Sequence, residues 1–192
     1  MICRKTRLQG ASRSSLPPPE TDMKKPKPRI DIPPRTSDNV KRKLHAAPDT
    51  ALIAELSQTA RYAGYSKHKA APEDFGLEPY RKPRGDATLC DKHASFTSEQ
   101  IPSIPRLLRR GIRAGLIGES PRVIWTVGDD GWIFEGRITN VEQDEYHGYP
   151  VRPTELIAED VYDRYAQWAE AHGNREDKQA ATRCQAMYGF KP

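Results

Sequence analysis

Val123-Ile124-Trp125-Thr126-Val127, then Gly128-Asp129-Asp130-Gly131, then Trp132-Ile133-Phe134-Glu135-Gly136-Arg137-Ile138-Thr139 is the stretch that decides the fold class. The first and last runs are rich in β-branched and aromatic residues, which fit a pleated surface. Between them, Asp130-Gly131 is the dipeptide that most often closes a hairpin, because glycine takes positive φ at no steric cost. Two antiparallel strands are therefore predicted. Toward the C-terminus a short strand is expected around Tyr149–Val151, followed by a helix that Thr154 caps and that runs to about Ala171. Ile157, Val161, Tyr165 and Trp168 recur on one of its faces. Gly173-Asn174 interrupts, and a last helix is expected from about Arg175 to Met187. Toward the N-terminus, Ser103 is expected to cap a helix whose first turn tolerates Pro105 and whose stripe is Ile104, Leu107, Leu108 and Ile112, with Gly115 at its end. Asp49 is a good N-cap for an earlier helix over 50–63, with Leu52, Leu56, Ala60 and Ala63 in phase and Gly64 as its stop. Strands bracketed by helices, without βαβ alternation, predict an α+β domain. It has a central β-hairpin or small antiparallel sheet packed by about four helices. Trp132, Phe134, Tyr165 and Trp168 are read as core or sheet cover.

Charge divides the chain. Residues 1–48 hold 12 Lys/Arg against 4 Asp/Glu, a net of +8, together with 8 of the 17 prolines. Residues 49–192 hold 19 Lys/Arg against 22 Asp/Glu, a net of −3. The pI of about 9.1 thus belongs to the first part, which reads as a disordered, basic, Pro-rich tail. Met23, followed by Lys24-Lys25-Pro26-Lys27-Pro28-Arg29, is the expected translation start. The single α+β domain is assigned to 49–192. Three scattered cysteines, Cys3, Cys90 and Cys184, point away from a disulfide framework and toward a reducing, cytoplasmic setting. No run approaches the ~18 consecutive apolar residues of a membrane helix.

Within the domain, residues 60–113 carry 11 Lys/Arg against 6 Asp/Glu, and residues 114–192 carry 8 against 14. The positive part centres on a long loop from Tyr65 to Thr97. Lys67-His68-Lys69 and Tyr80-Arg81-Lys82-Pro83-Arg84 are its basic clusters, and the interleaved tyrosines suit base stacking beside phosphate contacts. Glu135 and Arg137, two apart on a strand, leave the same face. Glu145-Tyr146-His147-Gly148-Tyr149-Pro150 follows a few residues later. A carboxylate, a guanidinium and an imidazole make up the minimum set for metal-free RNA cleavage. In that set Glu135 takes the 2′-OH proton, His147 protonates the departing oxygen and Arg137 holds the phosphate. No cofactor is expected, since neither a phosphate-cradling glycine loop nor a dinucleotide fingerprint is present. Cys90 and His93, with C-x₂-H spacing, form only half of a zinc signal, so no metal is assigned.

The set Glu135, Arg137, His147 and Tyr149 is similar in its roles to that of barnase-like bacterial ribonucleases, which place Glu and Arg on sheet strands and a catalytic His beside a Tyr. The resemblance covers about a tenth of the chain. The chain departs from that pattern by continuing through two helices after His147 and by showing Tyr146-His147-Gly148 instead of Asp-His-Tyr. The expected function is a small, toxin-like, metal-independent endoribonuclease with RNA as substrate and a small acidic protein as inhibitor. Two alternatives are a non-catalytic nucleic-acid-binding or accessory protein, and a protein–protein module presenting the acidic helices of the C-terminal half.

Overall fold

The computed structural model describes residues 42–69, 71–80, 96–97, 99–120 and 123–191, and every structural statement below concerns these. Helix α1 spans Thr50–Thr59, β1 Arg61–Tyr62, α2 Ile104–Arg113, β2 Val123–Val127, β3 Ile133–Asn140, β4 Glu145–Pro150, α3 Ile157–His172 and α4 Arg175–Tyr188. Four helices around a four-stranded sheet bear out the α+β class. The strand order is β1-β4-β3-β2, with β1 parallel to β4 and the other pairs antiparallel. Among the described residues no helix is long and apolar enough to cross a membrane.

Each face of the sheet has its own core. Alternation puts Ile124 and Tyr146 on one face, where they pack with Leu56 and Ala60 at α1 and with Leu108 and Ile112 of α2. Trp125, Val127 and Ile133 belong to the other face, where Val161, Tyr165, Ala180, Cys184 and Tyr188 of α3 and α4 cover them. Each large apolar side chain so buried contributes about 1.5–3 kcal/mol. Tyr188 also locks the sheet by hydrogen bonds. Its hydroxyl accepts from Ile133 N–H at 3.0 Å and donates to the Val151 carbonyl at 2.7 Å. Burial pushes the Tyr188 hydroxyl and the free Cys184 thiol well above their ordinary pKa values.

Helix α2 presses so closely on β2 that a Cβ at Gly111 would lie 1.9 Å from the Trp125 carbonyl oxygen. Arg110 beside it is 1% exposed. Its guanidinium reaches Asp177 of α4 at 2.8 Å, Asp129 at 2.8 Å and the Val127 carbonyl at 2.9 Å. This cation joins α2, the end of β2 and α4.

Several element ends differ from the sequence reading, each for a tertiary reason. Helix α1 stops at Thr59, short of Gly64. Ala60 turns extended, and Arg61 and Ala63 N–H donate to Asp144 and Tyr146 carbonyls at 2.9 and 2.8 Å, so these residues add a parallel edge to β4. Strand β4 begins at Glu145 rather than near Tyr149, because β3 offers a partner along its whole length. The connection between β2 and β3 spans 128–132, with Gly131 at φ +91° and Asp129 drawn to Arg106 and Arg110. Ser103 does not cap α2, since its hydroxyl donates to Gln100 O at 2.6 Å. Thr154 does not cap α3, which starts at Ile157 after a turn closed by Glu155. At α4, Asn174 and Asp177 form a reciprocal capping box at 2.9 and 3.0 Å.

Residues 42–48, assigned to the tail by composition, lie against the domain. Leu44 bridges Gly118, His45 N–H donates to Ile117 O at 2.8 Å, and Arg164 donates to the Gly115 carbonyl at 3.2 Å as well as to His45 O. The rest of the expected tail, 1–41, lies outside the described residues.

Gly111→Ala should destabilise the protein by about 3 kcal/mol or more, because the new methyl meets backbone that cannot move aside cheaply. A thermal melt checks this, and a midpoint within about 2 °C of the parent would show that the α2–β2 approach is softer than described.

Candidate functional site

On the face that carries Trp125, the sheet changes character along its length. Val127 and Ile133 lie under α3 and α4. One step along the strands come Trp125, Glu135 and Tyr149, in register across β2, β3 and β4. The next rung is Val123, Arg137 and His147. Glu135 sits where apolar cover ends, yet it is 0% exposed.

Four side chains surround the Glu135 carboxylate. Trp125 Nε1 donates to Oε2 at 2.9 Å and Arg42 Nε to the same oxygen at 2.7 Å. Arg137 Nε donates to Oε1 at 2.7 Å, and the Tyr149 hydroxyl donates there too. A carboxylate offers about four acceptor positions, so Glu135 is saturated. Burial pushes the Tyr149 hydroxyl well up, and the adjacent Glu135 charge adds to the shift, so Tyr149 stays a donor. Burial alone would lower the Arg42 pKa, but the Glu135 and Glu155 carboxylates outweigh it and hold the guanidinium charged. Arg42 also donates to Glu155. Burial would raise the Glu155 carboxyl, but the Arg152 N–H at 2.8 Å and Arg42 outweigh it and hold it below the usual carboxylate range.

Glu135 thus organises the site, and every lone pair that a general base would use is already occupied. The base role expected for it finds no support in this geometry. Arg137 differs. Its side chain is 43% exposed, and its Cζ lies 5.8 Å from the Tyr149 ring centroid. The Nε is fixed on Glu135, while Nη1 and Nη2 make no hydrogen bond or ion pair among the described residues. The result is a guanidinium held at its root and open at its tip, the geometry that suits a phosphate or carboxylate.

His147 faces Arg137 directly across β3 and β4. Thr139 Oγ1 meets its Nδ1 at 2.7 Å, and the Tyr65 ring lies 5.4 Å away, tilted by 45°. Thr139 reaches it because the β3–β4 ladder is irregular between Ile138 and Asn140. Glu145 is two residues from His147 on β4, so it shares that face. Its carboxylate has no hydrogen-bond or ion-pair partner among the described residues.

The basic loop is described in part. Tyr65 joins it to His147. Lys67 and His68 lie in a 3-10 turn over Ser66–His68, and Lys67 Nζ stands 5.7 Å from the ring centroid of Tyr80, which is 46% exposed. Lys69 Nζ sits 4.0 Å from the Phe75 ring centroid. Together with His147, Lys69 also edges a small apolar cavity of about 50 Å³ on the opposite face, whose floor is the cross-strand pair Gly136 and Gly148. Arg81, Lys82 and Arg84, and the half zinc signal Cys90 and His93, lie outside the described residues. Among the described residues, no three or more His, Cys, Asp or Glu side chains gather as a metal site.

The structure therefore brings Glu135, Arg137 and His147 onto adjacent rungs of one face. Sequence reasoning missed Arg42, Thr139 and the position of Glu145. Period-two alternation would have found Glu145 had β4 been read from its true start, whereas Arg42 left no local signal. Comparison with protein-family models, with curated proteins and with solved structures finds no match to this chain.

Arg42→Ala should cost about 3 kcal/mol or more, since it leaves the fully buried Glu135 without one of its two cations. The Glu155 carboxyl, held low when folded, adds stability above its unfolded pKa of about 4.3, and loses it as pH falls through the folded value. Parent stability should therefore hold from neutral to about pH 5 and fall below it, with a shallower acid slope in Arg42→Ala. Urea titrations at several pH values measure both effects, and equal slopes for the two proteins would refute the Arg42–Glu155 link.

Proposed function

We propose that this chain is a nucleic-acid-directed protein that takes backbone phosphates at the open end of its sheet, with single-stranded RNA as its target. One observation carries the reading. Arg137 is anchored by a buried carboxylate and turns unpartnered amino groups outward beside an imidazole. A guanidinium oriented in advance loses less side-chain freedom on binding an anion than a loose surface arginine does.

The surroundings support the same chemistry. Lys67 and Lys69 add positive charge to the segment that Tyr65 joins to His147. Tyr80, exposed and accompanied by Lys67, offers a stacking surface for a base, and stacking on aromatic side chains requires unpaired bases. The basic residues of 1–48 would add sequence-independent affinity through counterion release. An acidic protein that mimics RNA phosphates would compete for the same face.

Fluorescence anisotropy with the full chain and a labelled single-stranded RNA tests this at about 150 mM salt, where long-range attraction is screened. Arg137→Ala should weaken binding about tenfold and flatten the salt dependence, while Arg137→Lys should recover part of it. His147→Ala should have a smaller effect. Equal affinity for parent and Arg137→Ala, with both folded by circular dichroism, would remove the basis of this reading.

A further inference from the structure

We infer that the cavity between helix α2 and the sheet is a binding site for a compact aliphatic carboxylate, whose hydrocarbon group fills the cavity while its carboxylate meets Lys69 at the edge. The inference is independent of the phosphate-binding reading and concerns the opposite face of the sheet. The floor, the walls and the rim each carry part of it.

The floor is the cross-strand pair of Gly136 on β3 and Gly148 on β4. A glycine inside a strand weakens it, since it orders a flexible backbone and packs no side chain. Neither residue has positive φ, so the backbone conformation does not require glycine. Crowding does not require it either. Among the described residues, a Cβ at Gly148 would meet the Glu135 carbonyl oxygen at 3.4 Å, and one at Gly136 would meet the Ile124 carbonyl oxygen at 3.4 Å and Leu108 Cδ1 at 3.6 Å. Those are ordinary contact distances, so the two glycines hold open a space that larger residues could fill. Glycines so placed mark the close approach of another group.

The walls decide what that group is. Leu107 and Leu108 of α2 face Ile124, Phe134 and Tyr146 of the sheet. Thr126, also in the wall, spends its hydroxyl on the Leu107 carbonyl at 2.6 Å. A polar group entering here would lose its water without gaining a partner, so the occupant is hydrocarbon. One water-sized group needs about 10–15 Å³, so the cavity of about 50 Å³ takes about four heavy atoms. That matches an isobutyl group and is too small for an aromatic ring, for which a cavity of about 150 Å³ is known to serve.

The rim sets the charge. Lys69 edges the cavity, and no Asp or Glu is among its described lining residues. The Lys69 ammonium stands over the Phe75 ring, on a segment that also carries Lys67. A cation at the mouth of an apolar cavity favours a carboxylate through a charge-assisted hydrogen bond and disfavours an amine.

The full chain, labelled with nitrogen-15, is titrated with 3-methylbutanoate, 2-methylpropan-1-ol and 2-methylpropylamine, which share the isobutyl group, and amide shifts are followed by NMR. The carboxylate should give saturable shifts at Gly136, Gly148 and Phe134 with a Kd of about 1 mM. The alcohol should bind about tenfold more weakly, and the amine more weakly still. Gly148→Val should weaken carboxylate binding more than about tenfold by filling the floor, and Gly148→Ala, a smaller addition, should weaken it less. Lys69→Gln should bring the carboxylate down to the affinity of the alcohol and leave the alcohol unchanged. Absence of saturable shifts at Gly136 and Gly148 with all three compounds would overturn the site. Undiminished binding in both Gly148 variants would do the same. An amine or alcohol that binds as tightly as the carboxylate would overturn the assignment of an anion. Loss of carboxylate binding in Arg137→Ala would assign the compound to the phosphate-binding face and overturn the proposal, leaving that other reading in place.

Discussion

A carboxylate at the edge of a hydrophobic core must be surrounded by donors, because an unpaired buried charge costs several kcal/mol. Glu135 imposes that constraint here. It draws the Trp125 indole from β2, the Tyr149 hydroxyl from β4, Arg137 from its own strand and Arg42 from the segment that precedes the first helix. Through Arg42 it also reaches Glu155 at the approach to α3. One ionised group thereby aligns three strands, ties down an N-terminal segment and sets the entry to a helix. The surface consequence is Arg137, which is immobilised at its root and free at its tip.

A second buried charge of opposite sign does the corresponding work elsewhere. Arg110 links α2 to Asp129 in the β2–β3 connection and to Asp177 in the capping box of α4. Asp177 is doubly used, as helix cap and as counter-ion. Around it the packing is tight, as the approach of Gly111 to the Trp125 carbonyl shows. The protein is thus divided along the sheet. One end is covered by helices and held by Arg110 and Tyr188, while the other carries His147, Glu145 and the partly exposed Arg137. A rigid covered end and a polar open end on the same strands is an arrangement in which a site can be both pre-set and accessible.

The site was legible in the sequence to the extent that its members are close along the chain. Glu135 and Arg137 could be placed together because a strand has a period of two. His147 could be suspected near them, but its place opposite Arg137 depends on a register shifted between Ile138 and Asn140. Glu145 was hidden by weak strand propensity, since Glu145, Gly148 and Pro150 read more as turn than as strand. Arg42 was illegible, with Glu135 93 residues away and Glu155 113 residues away. Its loss from the expected domain follows from the same cause, because composition averages over the segment and cannot see a single pairing.

The sequence by itself determined the class of fold, the two strands on either side of Gly128–Gly131, the helices of the C-terminal half and the charge division near residue 48. All of these follow from local periodicity, turn chemistry and composition, which act over a few residues. Tertiary structure alone decided that α1 ends early to supply a parallel edge strand, that residues 42–48 belong to the domain, and that Glu135 is an anchor whose lone pairs are already taken. Those outcomes depend on burial and on hydrogen bonds between residues far apart in the chain. A carboxylate reads the same in a sequence whether it faces water or four donors, and only the packed structure distinguishes the two.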